Sequence, residues 1–252
     1  MRTPVPCYER RTFCVIYVTS DLHGYPKNKF LRFLSDSGFS ENDELYILGD
    51  VIDRNGDGGI EMLRWIMEQP NVHFLLGNHE DMLLQCSFLF EEITDPLLDS
   101  LSDLEMAALM NWMDNGAQPT INSLRRLSHD SPGELRRLLD FLEDTPLYAV
   151  LTVSGKKYIL THAGLGHYEQ GKELVDYDTG DLLWFRPELT TRYDDAATVV
   201  FGHTPVAAFG PEYEDKMLKT ETWIDIDTGA AYGLHPMLLR LGDEKAFYLS
   251  EE

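Results

Sequence analysis

One arrangement recurs along the chain: a short run of β-branched, aromatic or aliphatic residues followed by a tight polar turn. Residues 15–20 form such a run before Asp21-Leu22-His23-Gly24, and residues 45–48 another before Gly49-Asp50-Val51-Ile52-Asp53-Arg54. Residues 72–76 lead into Gly77-Asn78-His79-Glu80, residues 158–161 into His162-Ala163-Gly164, and residues 198–201 into Gly202-His203-Thr204-Pro205. A last run, 223–226, precedes Asp227-Thr228-Gly229. Apolar runs of four to six residues bounded by glycine read as buried strands.

Helical periodicity predicts helices over 27–37 and 59–68, between the early strands. Alternating strands and helices imply an α/β fold, in which ligands gather at the C-terminal ends of strands. Residues 82–143 read as a mostly helical insert. Ser102 and Glu105 form a capping box ahead of a helix over 106–113, and a second helix runs from 131 to 143. Residues 237–240 and 246–249, joined by Gly242-Asp243, predict a closing hairpin. Because strands and polar turns resume after the insert, residues 1–252 are expected to form one domain.

Charge narrows the partners. Lys and Arg number 21 against 43 Asp and Glu, a net charge of -22. A nucleic-acid binder needs a basic face, so a polynucleotide partner is excluded. Cys7, Cys14 and Cys86 have no metal-type spacing and are expected to be reduced thiols. No run is long enough for a signal segment or a membrane span, and a cytoplasmic protein is the expectation.

The strand ends carry the chemistry. Asp21, His23, Asp50, Asn78, His162 and His203 offer three imidazoles and three oxygen-bearing side chains. Mixed nitrogen and oxygen donors suit first-row divalent metals rather than calcium. Six donors exceed what one open catalytic ion needs and suit two ions sharing a carboxylate. Taken singly, each residue is as well explained as a turn former or a satisfied polar group. Six together, each after a strand, are not.

These motifs, with Asn111-Trp112-Met113-Asp114-Asn115-Gly116, Leu183-Trp184-Phe185-Arg186 and Ile226-Asp227-Thr228-Gly229, resemble the phosphoprotein phosphatase superfamily, and in particular its short bacterial and phage serine/threonine phosphatases. The resemblance spans about residues 13–241. It implies a metallophosphoesterase-type β-sandwich flanked by helices. It also implies that Asp21 and His23 bind one metal, that Asp50 bridges, and that Asn78, His162 and His203 bind the other. His79 and Asp53 would form the acid pair, with Arg54 and Arg186 on the phosphate and Asn78 beside it. The cofactors would be two divalent ions, manganese first, with iron, zinc, cobalt or nickel as alternatives. A hydroxide between the two ions would attack phosphorus in line.

Three departures from the family pattern stand out: Asn55-Gly56 after Arg54, Ala117 after Gly116, and Leu234-His235-Pro236 after Gly233. The leading expectation is a serine/threonine protein phosphatase, with phosphotyrosine as a further candidate substrate, acting on a phosphorylated protein or peptide or a small phosphoester. Diadenosine tetraphosphate hydrolysis is the alternative, and a non-catalytic metal-binding module ranks third. Asp53 before Arg54, and Glu80 rather than Asp closing the third motif, favour the first. Met106, Met110 and Met113 have helical spacing that predicts core. Tyr168 and Tyr193 are candidates for a substrate groove, and His235 for substrate contact.

Overall fold

A computed structural model describes residues 14–90 and 102–249. Cys7 and the part of the insert from 91 to 101 lie outside these residues. Two five-stranded sheets form the centre. The first is built from β1 (Ile16–Thr19), β2 (Glu44–Ile47), β3 (Val72–Phe74), β9 (Met237–Arg240) and β10 (Lys245–Tyr248), in the order β10-β9-β1-β2-β3. The second holds β4 (Tyr148–Val153), β5 (Lys156–Thr161), β6 (Thr198–Phe201), β7 (Leu218–Lys219) and β8 (Trp223–Asp225), in the order β4-β5-β6-β8-β7. In each sheet three adjacent strands are parallel: β1, β2 and β3 in one, and β5, β6 and β8 in the other. The expected hairpin at the end of the chain is β9–β10.

The side-chain alternation explains the unbroken apolar runs. Val18, Tyr46, Leu48, Leu160, Val200 and Ile224 face the opposite sheet and make the central core. Their neighbours Tyr17, Leu45, Ile47 and Phe74 face outward and pack under helices instead. Val199, Phe201 and Trp223 do the same on the far side of the second sheet. Both faces of each sheet are buried, so both strand registers must be apolar.

Helices α1 (Lys27–Asp36) and α2 (Ile60–Glu68) cover the first sheet, as expected. Beyond α3 (Asn78–Gln85), the insert contains α4 (Asp103–Asp114), α5 (Gln118–Asp130) and α6 (Pro132–Asp144). The Ser102–Glu105 capping box is formed in both directions. Helix α5 and strand β4 are additions to the sequence reading. So is the short α7 (Thr179–Leu183), which packs Leu182 against the second sheet. One expectation fails. Met106, Met110 and Met113 share the outer face of α4 and are 43%, 61% and 41% exposed, while Trp112 on the opposite face is fully buried. Equal helical spacing does not say which face meets the core. Among the described residues, no helix is long and apolar enough to cross a membrane.

Candidate active site

Parallel strands deliver their C-terminal turns to one edge, and the two sheets bring two sets of turns together. β1 leads to Asp21 and His23, β2 to Asp50, Asp53 and Arg54, and β3 to Asn78 and His79. β5 leads to His162, β6 to His203, and β8 ends at Asp225, close before Asp227. Ten non-glycine residues have positive φ among the described residues, and six are site residues: Asp21, His23, Asp50, Asp53, Arg54 and His203. Such backbone costs on the order of 1 kcal/mol or more per residue and must be held by its surroundings.

Glu80 does much of that holding. It is fully buried, and its carboxylate accepts hydrogen bonds from the backbone N–H groups of Gly77, Asp50, Val51 and Ile52. Burial, and then the charge of Asp50, push its pKa up to about 7. Close approach of the turns also demands glycine. A Cβ at Gly49 (φ 83°) would lie 2.5 Å from the Gly77 Cα, and one at Gly202 would lie 2.0 Å from Asp21 Oδ2.

The six expected metal donors converge, all of them buried. His23 Nε2 is 3.8 Å from Asp21 Oδ1 and 3.6 Å from Asp50 Oδ2. On the other side of Asp50, His162 Nε2 is 3.4 Å from Oδ1 and 2.9 Å from Asn78 Oδ1. His203 stacks edge-on against His162 at 5.0 Å, and its backbone N–H donates to Asp21 Oδ2. Two groups could each hold an ion, and they share Asp50: His23, Asp50 and His79 form one, and Asp50, His162 and His203 the other.

The ring tautomers fit this use. His23 Nδ1 donates to the Ile52 carbonyl, and His162 Nδ1 donates to the Leu48 carbonyl, at 3.1 and 2.7 Å. A carbonyl only accepts, so each Nδ1 carries a hydrogen and each Nε2 is turned to the other donors, the usual outer support of a metal-binding imidazole. Burial lowers the pKa of His162, but the charge and contact of Asp50 outweigh that and push it up to about 10. His203 Nε2 is buried with no hydrogen-bond partner in the structure, as a donor awaiting a cation would be. Burial lowers the pKa of His23 to about 3. It also lowers that of His203 to about 2, with help from the charges of His162 and Arg186. Both rings are therefore held in the neutral form that binds metals. Asp21 is pushed up to about 7 by burial, partly through the nearby Asp50 charge. The carboxylates repel one another, and divalent cations would relieve this. The donor set thus fits two divalent ions.

His79 is oriented by Asp53: its Nδ1 donates to Asp53 Oδ2 at 2.6 Å. Its Nε2 faces the cleft, 3.8 Å from Asp50 Oδ2 and 3.4 Å from Arg54 Nη2. Burial lowers its pKa, but the Asp50 charge and the Asp53 contact outweigh that, and the net shift is upward. Arg186 donates from Nη1 to the His203 carbonyl, and both arginines line the cleft. The Arg54 backbone N–H donates to the Gly116 carbonyl, which joins the insert to the site. The cleft is also lined by Asn115, Trp184, Asp227 and Tyr232.

Several contributors were not identifiable from sequence. Trp112 and Thr120 both hydrogen-bond Asp53. Trp112 lies in a motif that was read without a role for it, and Thr120 carried no signal. Asp227 is fully buried beside Asp21, and burial raises its pKa well above the usual carboxylate range. Tyr193 is buried with its hydroxyl on the Leu165 N–H, so it lines no groove. His235 meets the Tyr25 hydroxyl and lines a separate cavity of about 230 Å³.

Comparison with known proteins identifies the family and the fold. The family model for calcineurin-like phosphoesterases matches residues 14–226. The chain is 26% identical, over 86% of its length and 84% of the relative's, to the asymmetrical bis(5'-nucleosyl)-tetraphosphatase PrpE of Bacillus velezensis. It is also 26% identical, over 93% and 94%, to the symmetrical bis(5'-nucleosyl)-tetraphosphatase of Chromobacterium violaceum. Among solved structures, one provisionally described as a diadenosine tetraphosphatase has a TM-score of 0.62 at 16% identity, covering 94% of each chain. A serine/threonine phosphatase from Saccharomyces cerevisiae reaches 0.53 at 13% identity, covering 95% of this chain and 81% of that one. By motif order, fold and family match together, the chain belongs to the calcineurin-like phosphoesterase family.

Proposed function

We propose that this phosphoesterase hydrolyses dinucleoside polyphosphates of the tetraphosphate class, which reverses the order of substrates expected from sequence. The relatives named above act on that class by their names. The observation in this chain that carries the reading is a pair of exposed aromatic side chains on the cleft. Trp184 is 38% exposed, 6.1 Å from the His203 ring, and Tyr232 is 68% exposed beneath the Arg54 guanidinium. A phosphomonoester of a peptide needs no such flanking rings, whereas nucleobases stack on them.

Asp21, His23, Asp50, Asn78, His162 and His203 would hold two divalent ions, which supply Lewis acidity and lower the pKa of water. Arg54 and Arg186 present planar forks to phosphoryl oxygens. His79 Nε2–H donates a proton to the leaving oxygen, with Asp53 fixing the ring. The His79–Asp53 pair favours a second reading, phosphoserine or phosphothreonine hydrolysis, because an alkoxide needs that proton more than a phosphate leaving group does.

Side-by-side assays of diadenosine tetraphosphate and a phosphoserine peptide, with manganese present, decide between the two. The expected result is a higher kcat/KM for the dinucleotide. Stacking is worth about 1–3 kcal/mol per base, so Trp184→Ala or Tyr232→Ala should raise KM for the dinucleotide by about tenfold. That rise should exceed the one for p-nitrophenyl phosphate. Faster turnover of the peptide would overturn the reading.

A further inference from the structure

The acid pair does not stand alone. Asp53 lies under the helical insert and is fully buried, as are Trp112 at the end of α4 and Thr120 at the start of α5. Its Oδ2 accepts two hydrogen bonds, one from His79 Nδ1 at 2.6 Å and one from the Trp112 indole Nε1–H at 2.8 Å. Its Oδ1 accepts from the Thr120 hydroxyl at 2.5 Å, and the Thr120 hydroxyl oxygen in turn accepts the Asp53 backbone N–H at 3.0 Å. The Gly58 carbonyl, at 3.3 Å, is a longer alternative for the hydroxyl hydrogen.

We infer that Trp112 and Thr120 are positioning residues. Each pins one oxygen of Asp53, so that the carboxylate cannot rotate away from His79 and the imidazole keeps its Nε2–H aimed into the cleft. A carboxylate turns readily about its terminal torsion. Held only by His79, it would swing with the ring. Held by donors on both oxygens, it becomes a fixed reference against which the ring is set. Asp53 itself sits at φ 75°, a conformation that needs support from its surroundings. Both donors come from the insert, so the insert acts on the chemistry from beneath the acid pair as well as at the cleft rim.

The inference rests on the assignment of His79 as the acid that protonates the leaving oxygen, and it holds for either substrate reading. Its test uses the metal-loaded enzyme with two small phosphomonoesters: p-nitrophenyl phosphate, whose leaving group needs little protonation, and phenyl phosphate, whose leaving group needs more. General acid catalysis contributes about 100-fold to 10,000-fold, and a misaligned acid forfeits part of that. In Thr120→Val and Trp112→Phe, turnover of phenyl phosphate should therefore fall about tenfold further than that of p-nitrophenyl phosphate. Thr120→Ser keeps the hydroxyl and should restore the wild-type ratio. Metal content, read by atomic emission, should stay at two ions per chain in all three.

Equal losses on both substrates, or failure of Thr120→Ser to restore the ratio, would overturn the positioning role. Because Trp112→Phe opens space in the core, the Thr120 pair carries the decision if that variant does not fold. His79→Asn separates the two levels. If it changes the ratio while Thr120→Val does not, only the positioning role is lost. If it leaves the ratio unchanged, the acid assignment itself falls.

Discussion

Asp50 shows how much one side chain is asked to do. Its φ is 54°, its Oδ1 accepts the His79 backbone N–H at 3.0 Å, and its two oxygens face His23, His79 and His162. Burial alone would raise its pKa, but His162 and His79 together hold it well below the usual carboxylate range. Asp50→Asn keeps the shape and removes the charge that two cations would share. Outer partners of metal ligands are worth about 10-fold to 100-fold in affinity, and a shared ligand should cost no less than about 100-fold. The expected outcome is a protein that folds but leaves gel filtration short of metal. Wild-type metal content in that variant would refute the bridging role.

At the scale of elements, the two sheets are tied at their far edge by the turn between β9 and β10. Glu244 on that turn accepts from Lys156 Nζ and the Tyr158 hydroxyl of β5, each at 3.0 Å, and also pairs with Lys219 of β7. The Tyr158 hydroxyl also lies 2.9 Å from the Leu241 carbonyl, beside the same turn. Burial opposes the Glu244 charge, but these donors outweigh it and lower its pKa from 4.5 to about 2. A lowered carboxylate pKa adds stability that is complete above the unfolded value and is lost as pH falls through the folded one. The melting temperature of wild type should therefore exceed that of Glu244→Gln above about pH 5, with the gap closing toward about pH 2. Parallel melting curves over that range would show that the clasp contributes nothing.

For the whole molecule, the acidic surplus and the cavity chemistry point the same way. A chain of net charge -22 repels itself, and Asp50 and Asp227 line the cleft with the buried Asp21 close behind them. Cations bound only by the folded state stabilise it by mass action, about 2.7 kcal/mol at a hundredfold excess over Kd. For a chain of this size that corresponds to roughly 5–10 °C in Tm. Stripping with a chelator should lower Tm by about that much, and manganese should restore it. An unchanged Tm on both steps would mean that the donor set holds no ion tightly.

The division between what was legible and what was not follows from the range of the forces involved. Strands, glycine-bounded turns and the identity of the six donors are local: apolar runs must be buried, and a turn that carries Asp or His after a strand leaves its mark within a few residues. The hairpin, α1, α2 and the α4 capping box were readable for the same reason. The helix α5, whose buried face carries Thr120, Ile121, Leu124 and Leu127 at helical spacing, fell within the mostly helical reading of residues 82–143 without bounds of its own. The exposed face of α4 escaped because periodicity fixes a stripe but not its partner. Glu80, used in ranking the substrates, serves as a backbone clamp for the β2 turn, a role that does not by itself select a substrate. Trp112 and Thr120 could be placed on Asp53 only by folding, because they stand 59 and 67 residues away along the chain. Sequence alone determined which groups could do the chemistry; the packing of two sheets and an insert decided which of them meet, and what holds them in line.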